Sequence, residues 1–364
     1  MNNLKILEFR ALDLPVFQEV RGKDYVSFGK DNLYPDKIIE LYNTSAMNGT
    51  AINSITDAVK GEGIAEYGNT VVNQLGETLD DIYGKVARDY VLFGGYGINC
   101  IWNRGGDKIV EIYHLCFDKI RSGKLDENDI VNDYYYSSNW KNTRKYPPVR
   151  YSSFNSTDNR GDNASQIFYC FDYTPGNLIY PLPSYVGALN DIQLDARISK
   201  YHNAQISNGF SGGIFINMPN GEPTPEEQRM LYRDLEKSFT GEDNAGRLFV
   251  SFSEGAELAP QVQAITSAND DYYTTLEQRI SSRIMTAHRI TSGKLIGVRD
   301  EGGLGNNAEE IQVAYTHFNS TSIEPKQKKI NKCMDKVLRL FGIEEPIQVI
   351  PSQIDFNKNI TGEV

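Results

Sequence analysis

The chain has 364 residues, a formal net charge of −11, 40% hydrophobic residues and 23% charged residues. This composition is that of a globular protein and excludes a largely disordered chain. A protein that binds nucleic acid tightly over a broad surface is normally basic. The negative net charge of this chain therefore argues against such tight binding, but it allows a surface past which DNA slides. No window approaches eighteen apolar residues in a row and no secretory signal is recognisable, so we expect neither a membrane span nor secretion.

Cysteine and histidine usage predicts neither a disulfide scaffold nor a metal site. The four cysteines are scattered without a CxxC pair, which suits a reducing compartment. The four histidines have no HxxxH or HExxH spacing, so we interpret them as partly buried polar residues. No cofactor is expected.

The N-terminal half predicts mixed helix and strand. Apolar residues at spacings of three and four predict helices over residues 45–60 and 78–90. A hairpin is predicted around residues 103–106, because the glycines there supply positive φ angles. Tyr134 to Tyr136 are predicted as a strand with exposed rings, and residues 137–165 as a long surface loop.

The C-terminal half predicts long helices on either side of a small mixed module. Residues 184–208 predict a helix with two apolar stripes, hence one packed on more than one side. A β-α-β insertion is predicted over residues 211–262. Its helix is expected to begin at Thr224, with Pro225 in the first turn and Glu227 completing a capping box.

A second long helix is predicted over residues 267–290, followed by a Gly-rich loop over 291–306. A last long helical stretch begins at Asn307. Pro325 must break or kink this stretch, because proline lacks an N–H group and clashes with the preceding turn. Residues 346–350 are predicted as a short strand.

This order of elements resembles the portal proteins of long-tailed bacteriophages, and the likeness is best over residues 180–342. Two departures stand out: the paired prolines that usually follow the second long helix are missing, and the helical crown is expected to be small or absent. The strings that match the family are Pro183-Ser184 before the first long helix, Asn208-Gly209 at its end, Gly241 to Arg247 as a G-x-x-N-A-G-[KR] turn, Ala287 to Gly297 after the second helix, and Ile323-Glu324-Pro325.

The resemblance implies an α+β fold divided as in that family. The implied regions are a wing over residues 1–180, a first stem helix over 181–210, a clip over 211–262, a second stem helix over 267–291, a tunnel loop over 292–306, and a kinked helix returning to the wing over 307–364.

The resemblance also implies the function of a non-enzymatic ring subunit. The ring is expected to be a dodecamer at a capsid vertex of the virion, assembled in the host cytoplasm, for DNA packaging, retention and ejection. The implied partners are further copies of the chain, double-stranded DNA bound transiently and without sequence preference, the terminase large subunit, the head–tail adaptor and the major capsid protein. No membrane partner is implied.

Candidate functional residues follow from these regions. The tunnel loop is expected to face DNA, although an ordinary mobile surface loop is the alternative. The stem cations are expected to face DNA or a neighbour, with solvated faces and ion pairs between helices as the alternative. The clip is expected to dock the motor and the adaptor. The residues concerned are, for the loop, Lys294, Arg299, Asn306 and Asn307; for the stem, Lys200, Arg279 and Arg283; and for the clip, Glu226, Glu227, Arg229, Arg233, Asp243 and Arg247.

Two charged segments stand out. Residues 211–262 hold nine acidic and four basic residues, a net charge of −5, so an acidic rim there would repel DNA and suit a passage. Residues 324–339 hold six basic and two acidic residues, a net charge of +4. They could meet the acidic surface of a neighbour or nearby DNA, and a plain solvated helix face is the alternative.

The sequence gives little indication of a catalytic site. The carboxylate pairs Asp270-Asp271 and Glu309-Glu310 lie where helix starts favour acids, so we interpret them as capping residues. Two other functions stay open: another head–tail connector subunit, or a cytosolic enzyme that binds a polar ligand in a tyrosine-rich cleft around residues 126–180.

Overall fold

The computed structural model describes residues 15–20, 22–155, 164–207, 214–218, 248–252, 261–264, 270–298 and 308–352, with a few positions between 224 and 233. The chain forms two compact units. The first comprises residues Met1–Gln193 and Ser282–Val364, and the second comprises Leu194–Ser281. No helix in the described ranges has both the length and the apolar character needed to cross a lipid bilayer.

The first unit begins with three helices, α1 (Tyr34–Thr44), α2 (Ala46–Lys60) and α3 (Leu79–Phe93). The helices predicted over 45–60 and 78–90 are confirmed. The Ser45 hydroxyl accepts a hydrogen bond from the Asn48 N–H and caps α2. Thr78 and Asp81 form a reciprocal capping box on α3, which satisfies two backbone groups that the helix leaves free.

A six-stranded sheet packs with these helices, and a two-stranded ribbon lies beside it. The order in the large sheet is β4-β3-β8-β7-β6-β5, and all neighbours are antiparallel except β7 and β8. The ribbon pairs β1 with β2. The strands are β1 (Phe17–Glu19), β2 (Val26–Phe28), β3 (Gly95–Trp102), β4 (Ile109–Leu115), β5 (Ile120–Ser122), β6 (Asp133–Tyr136), β7 (Val149–Ser153) and β8 (Ser165–Phe171).

Two sequence predictions in this region are corrected. The hairpin between β3 and β4 is confirmed, but the long loop over residues 137–165 is wrong because it contains β7 and the first residue of β8. The exposed rings predicted in β6 are also wrong. Tyr134 is only 7% exposed and stacks on Tyr169 with a centroid distance of 4.9 Å.

Two tyrosines of this segment, Tyr134 and Tyr180, therefore belong to the core, whereas Tyr173 is 75% exposed. Tyr180 is buried, stacks on Phe28 at 4.1 Å, and donates a hydrogen bond to the Val26 carbonyl oxygen. Strand β3 comes close to β5, since a Cβ on Gly97 would collide with the Ile120 side chain. Because Tyr134 and Tyr180 are buried, they do not line the tyrosine-rich cleft that the enzyme alternative requires.

The second unit holds a three-stranded sheet of β9 (Ile214–Met218), β10 (Leu248–Phe252) and β11 (Gln261–Ala264). β10 is parallel and β11 antiparallel to the central strand β9. The described residues between 226 and 233 are helical, so strand, helix and strand follow in the predicted order. The third strand, β11, was not predicted as a separate element.

Two long helices link the units, α4 (Leu189–Ser207) and α5 (Asp270–Ala287). The helix predicted to run to residue 290 ends at Ala287. Arg289 then takes a φ angle of 59°, in the left-handed region where an L-residue cannot continue a helix.

The C-terminal helices belong to the first unit. α6 (Ala308–Phe318) passes through a π-helical turn (Asn319–Ile323) into α7 (Glu324–Phe341). Pro325 lies in the first turn of α7, so the predicted break is confirmed. The predicted strand over 346–350 is reduced to one bridge between Val349 and Ile64.

α7 packs on the β3–β4 end of the sheet. Its buried face comprises Ile330, Met334, Val337 and Leu338. A disulfide joins Cys333 of α7 to Cys170 of β8, with 6.7 Å between their Cα atoms. Cysteine usage predicted a reducing compartment rather than disulfides, and this pair departs from that expectation; Cys100 and Cys116 are free thiols.

Candidate functional site

The predicted tunnel loop begins as an anchored turn. A short 3-10 helix spans Gly293–Ile296, and the Ser292 hydroxyl accepts a hydrogen bond from the Lys294 N–H at 3.3 Å. Gly293 and Ile296 are buried, whereas Lys294 is exposed. Lys294 is thus the cation that this turn presents at the surface.

The remaining predicted loop residues, Arg299, Asn306 and Asn307, lie outside the described residues.

A buried histidine fixes the chain where it enters this turn. His288 is 3% exposed, and its Nε2 lies 2.9 Å from Asn48 Oδ1. Because an amide oxygen only accepts, Nε2 is the donor. Burial, with a smaller contribution from the charge of Lys326, lowers the pKa of His288 from 6.5 to about 3, so the ring is neutral.

The other face of the same ring is held by an aromatic contact. Tyr185 stacks on His288 with a centroid distance of 4.5 Å, and its hydroxyl donates to the Leu92 carbonyl oxygen at 2.8 Å. The end of α5 is therefore tied to α2 through Asn48 and to the end of α3 through Tyr185. The start of the loop is positioned by rigid elements.

A lysine anchors the π-helical turn next to this entry. The Lys326 ammonium donates to the Ser322 carbonyl oxygen at 3.0 Å and to its hydroxyl at 3.1 Å. Burial, and secondarily the charge of Arg289, lowers the pKa of Lys326 from 10.5 to about 8. π-helical turns are rare and frequently occur at functional sites.

A cavity of about 230 Å³ separates the loop from the kinked helix. Leu295 of the turn, Phe318 before the π-helical turn and Gln327 of α7 line it, together with residues of α2. Gln327 also donates to the Val59 carbonyl oxygen at 3.1 Å, which ties α7 to α2.

The predicted stem cations fall into two groups. Arg283 forms an ion pair with Asp191 of α4, with 3.0 Å between Nη1 and Oδ1. This is the inter-helix ion pair that was the alternative to a DNA-facing role. Lys200 of α4 and Arg279 of α5 are exposed.

The predicted clip residues are exposed where the structure describes them. Glu227 accepts hydrogen bonds from the Thr224 hydroxyl at 2.8 Å and from its N–H at 2.9 Å, which confirms the capping box. These bonds, the side-chain one first, lower the pKa of the Glu227 carboxyl. Glu226, Arg229 and Arg233 are exposed.

Asp243 and Arg247 of the clip lie outside the described residues.

Comparison with known proteins identifies relatives of this arrangement. No family model matches the chain. Over 147 residues it is 25% identical to the probable portal protein of Haemophilus phage HP1, covering 40% of this chain and 42% of that protein. Over 169 residues it is 20% identical to the probable portal protein of Escherichia phage P2, covering 45% and 48% respectively. The chain thus spans less than half the length of these relatives.

Solved structures match over much more of the chain. A chain from the neck of a native gene transfer agent particle, computed with C12 symmetry, has a TM-score of 0.57 at 16% identity, covering 88% of this chain and 86% of that chain. A phage portal protein of the HK97 family from Corynebacterium diphtheriae has a TM-score of 0.51 at 10% identity, covering 85% and 94%.

The chain resembles phage portal proteins in sequence and fold. The resemblance inferred from the order of elements is therefore confirmed, and so is the mixed α+β class. At identities of this size the portal structures show the fold alone. The roles of the wing, stem, clip and loop residues stay predictions.

The structure of this portal-like chain adds residues that the sequence did not single out. His288 and Lys326 position the loop entry and the π-helical turn, yet no such role was predicted for either residue. Tyr185 had a signal, since it belongs to the apolar stripe that continues along α4. Among the described residues, no group of three or more histidine, cysteine, aspartate or glutamate side chains is arranged to hold a metal ion.

Proposed function

We propose that this chain is a portal subunit, one member of a closed ring at a capsid vertex through which double-stranded DNA is packaged, retained and ejected. The observation that carries the proposal is the fold likeness over 88% of the chain to a protein of a particle neck computed with C12 symmetry. That symmetry supports a ring of twelve copies. Identical subunits joined head to tail close into a ring when the rotation between neighbours closes.

The portal assignment is favoured over another head–tail connector subunit. Two relatives are named as probable portal proteins, and one matching structure is a portal protein of a tailed phage. Another connector would share the particle neck but not these likenesses.

Charge supports a passage rather than a clamp. The chain carries a net charge of −11, and the clip segment carries −5, so DNA phosphates meet few attractive contacts and little drag. A separate ATP-hydrolysing motor drives the DNA. The Gly-rich loop tightens around packaged DNA through Lys294 and Arg299, while Asp300 and Glu301 limit the attraction.

The proposed partners follow the order of assembly. The terminase large subunit docks on the clip in the host cytoplasm, the head–tail adaptor takes its place later, and the ring sits in a vertex of the major capsid protein shell. The chain acts without a cofactor and without an enzymatic reaction of its own.

The DNA-facing loop can be tested by replacing its two cations. In particles assembled with Lys294→Ala/Arg299→Ala, we expect DNA loss from filled heads to rise roughly tenfold, because phosphate contacts that retain the duplex are removed. DNA content after a timed incubation measures this effect. Arg144→Ala/Lys145→Ala, a pair of exposed cations elsewhere, is the matched control.

Native mass measurement of the same variants separates the outcomes. Rings should form with both variants. If the loop variant fails to assemble, these cations are structural, and if DNA retention is unchanged, the loop does not grip DNA.

A further inference from the structure

One helix of this acidic chain presents a row of cations to solvent. Lys328, Lys332, Lys336 and Arg339 are exposed on α7. Steps of four residues along an α-helix advance about 6 Å, so the cations follow one another along one face. We call these four residues the cationic row.

The helix geometry leaves this row pointing away from the protein core. The opposite face of α7 is the buried one, which packs on the sheet. Lys328 pairs with Glu324 of the same helix at 3.1 Å. Within the described residues, no ion pair reaches Lys332, Lys336 or Arg339.

Such a row is unfavourable for an isolated subunit. Like charges four residues apart destabilise a helix by a few tenths of a kcal/mol per pair. An anionic surface placed against the row would remove this cost. The row therefore has the character of a docking surface for an acidic partner.

The same unit carries a complementary surface on the hairpin between β5 and β6. Asp126, Glu127 and Asp129 lie at its turn, which we call the acidic tip. The Asp126 carboxylate accepts hydrogen bonds from the Asn128 N–H at 2.8 Å and the Ile130 N–H at 2.9 Å. The turn is thus held by its own side chain, and Glu127 and Asp129 remain exposed.

The two surfaces lie on different parts of the first unit. Tyr96 of β3 donates a hydrogen bond to the Ile330 carbonyl oxygen, which places α7 at the β3–β4 end of the strand order. The acidic tip is carried by different elements, β5 and β6, and none of its described carboxylates forms an ion pair with the cationic row. A head-to-tail contact between identical subunits requires two different, complementary patches on each copy.

We propose that the cationic row is a subunit-contact surface and that its occupant is the acidic tip of a second copy of this chain. The inference rests on the ring of the proposed function and identifies which surfaces meet in it. Copies with a net charge of −11 repel one another, so a paired basic and acidic patch sets both their attraction and their register. A DNA backbone could also neutralise the row, and the experiment distinguishes this case.

Charge reversal on each side tests the contact. The row variant is Lys332→Glu/Lys336→Glu and the tip variant is Glu127→Lys/Asp129→Lys. The control is Arg144→Glu/Lys145→Glu, which makes the same change in net charge as the row variant at exposed positions of another loop. The protein concentration for half assembly is measured by sedimentation velocity near physiological salt.

We expect the row variant alone and the tip variant alone to need a protein concentration for half assembly that is about tenfold higher or more. Like charges then face each other across the contact. The control should assemble as the unchanged protein does. An equimolar mixture of the row and tip variants should recover assembly, since a ring that alternates them pairs opposite charges at every contact and twelve is an even number. Circular dichroism checks that each variant is folded.

The other outcomes each overturn the proposal in a recognisable way. If the row and tip variants form rings as readily as the unchanged protein, the ring stands but these surfaces do not meet. If the row variant and the tip variant are folded but form no rings, either alone or when mixed, the row and the tip bind different partners. If the row variant assembles normally but loses DNA from filled particles, the row is a DNA surface. If the unchanged protein forms no ring, the proposed function itself fails.

Discussion

At the scale of single residues, Arg121 shows how the first unit holds a buried charge that forms no ion pair with a carboxylate of the described residues. Its side chain is fully buried, with Nε donating to Asn32 Oδ1 at 2.6 Å and Nη2 to the Asn32 carbonyl oxygen at 2.7 Å. Nη1 donates to the carbonyl oxygens of Asp118 and Ile120, both at 2.8 Å. The guanidinium lies 4.8 Å from the centroid of the Trp140 ring. Burial lowers the pKa of Arg121, yet a guanidinium stays charged at any working pH.

This geometry predicts that lysine cannot replace Arg121. A lysine keeps the charge but lacks the planar fork, so several carbonyl groups lose their donor and the ammonium is poorly solvated. We expect Arg121→Lys to lower the free energy of unfolding by about 3 kcal/mol, measured by chemical denaturation. Arg150→Lys, at an exposed arginine paired with Asp133, should change it by no more than about 0.5 kcal/mol. Equal effects at the two positions would contradict this account of Arg121.

His288 makes the first unit sensitive to acid. Its folded pKa of about 3 lies below the ordinary value of 6.5, so between these values the unfolded chain binds more protons than the folded chain. The free energy of unfolding therefore falls as the pH drops through this window.

Between pH 7 and pH 5 we expect this histidine to remove about 2 kcal/mol of unfolding free energy. His288→Gln has no proton to gain and should show a correspondingly flatter dependence on pH. His317→Gln, at an exposed histidine, should keep the slope of the unchanged protein. Parallel pH profiles for the unchanged protein and His288→Gln would show that His288 does not stay neutral when folded.

At the scale of elements, the disulfide joins two parts of the chain that no local pattern connects. Cys170 of β8 and Cys333 of α7 are 163 residues apart in sequence. A cross-link over such a span restricts the unfolded chain, and it also fixes α7 against the sheet. The helix that carries the cationic row is thereby held in one position.

We expect Cys333→Ser to lower the free energy of unfolding by about 2–4 kcal/mol under oxidising conditions. A thiol reductant should lower the melting temperature of the unchanged protein but leave that of the variant in place. Cys116→Ser removes an exposed free thiol and should behave as the unchanged protein does. If a thiol reductant does not change the melting temperature of the unchanged protein, the disulfide contributes nothing to stability.

Elements with local start and stop signals could be predicted from the sequence. α2 and α3 have capping residues at their starts and glycines at their ends, and Pro325 marks the break between α6 and α7. β7 could not be predicted in this way. Its residues are mostly polar and are exposed or half-buried, and it forms through pairing with β6 and β8 rather than through an apolar pattern.

In the candidate site, too, features with a local sequence signal could be predicted and features that depend on packing could not. The Gly-rich loop and the lysine near its start are visible in the sequence, whereas the exposure of Lys294 is not. The contact between His288 and Asn48 spans 240 residues and depends on how the helices pack, so periodicity does not reveal it. For the same reason the sequence allowed both roles for Arg283, and only the structure showed its ion pair with Asp191.

At the scale of the whole molecule, the order of elements carried more information than any single motif. Two long helices around a small mixed module, followed by a Gly-rich loop and a helix broken at a proline, indicated the portal fold although no family model matches. The boundaries of wing, stem, clip and loop depend on the assembled particle. They stay predictions until a ring is seen.

Single-particle cryo-electron microscopy of the purified protein tests the central claim most directly. The account predicts closed rings with an axial opening wide enough for a DNA duplex and with Lys294 on the inner wall. A protein that stays monomeric at high concentration, or a ring that carries Lys294 on its outer surface, would contradict it.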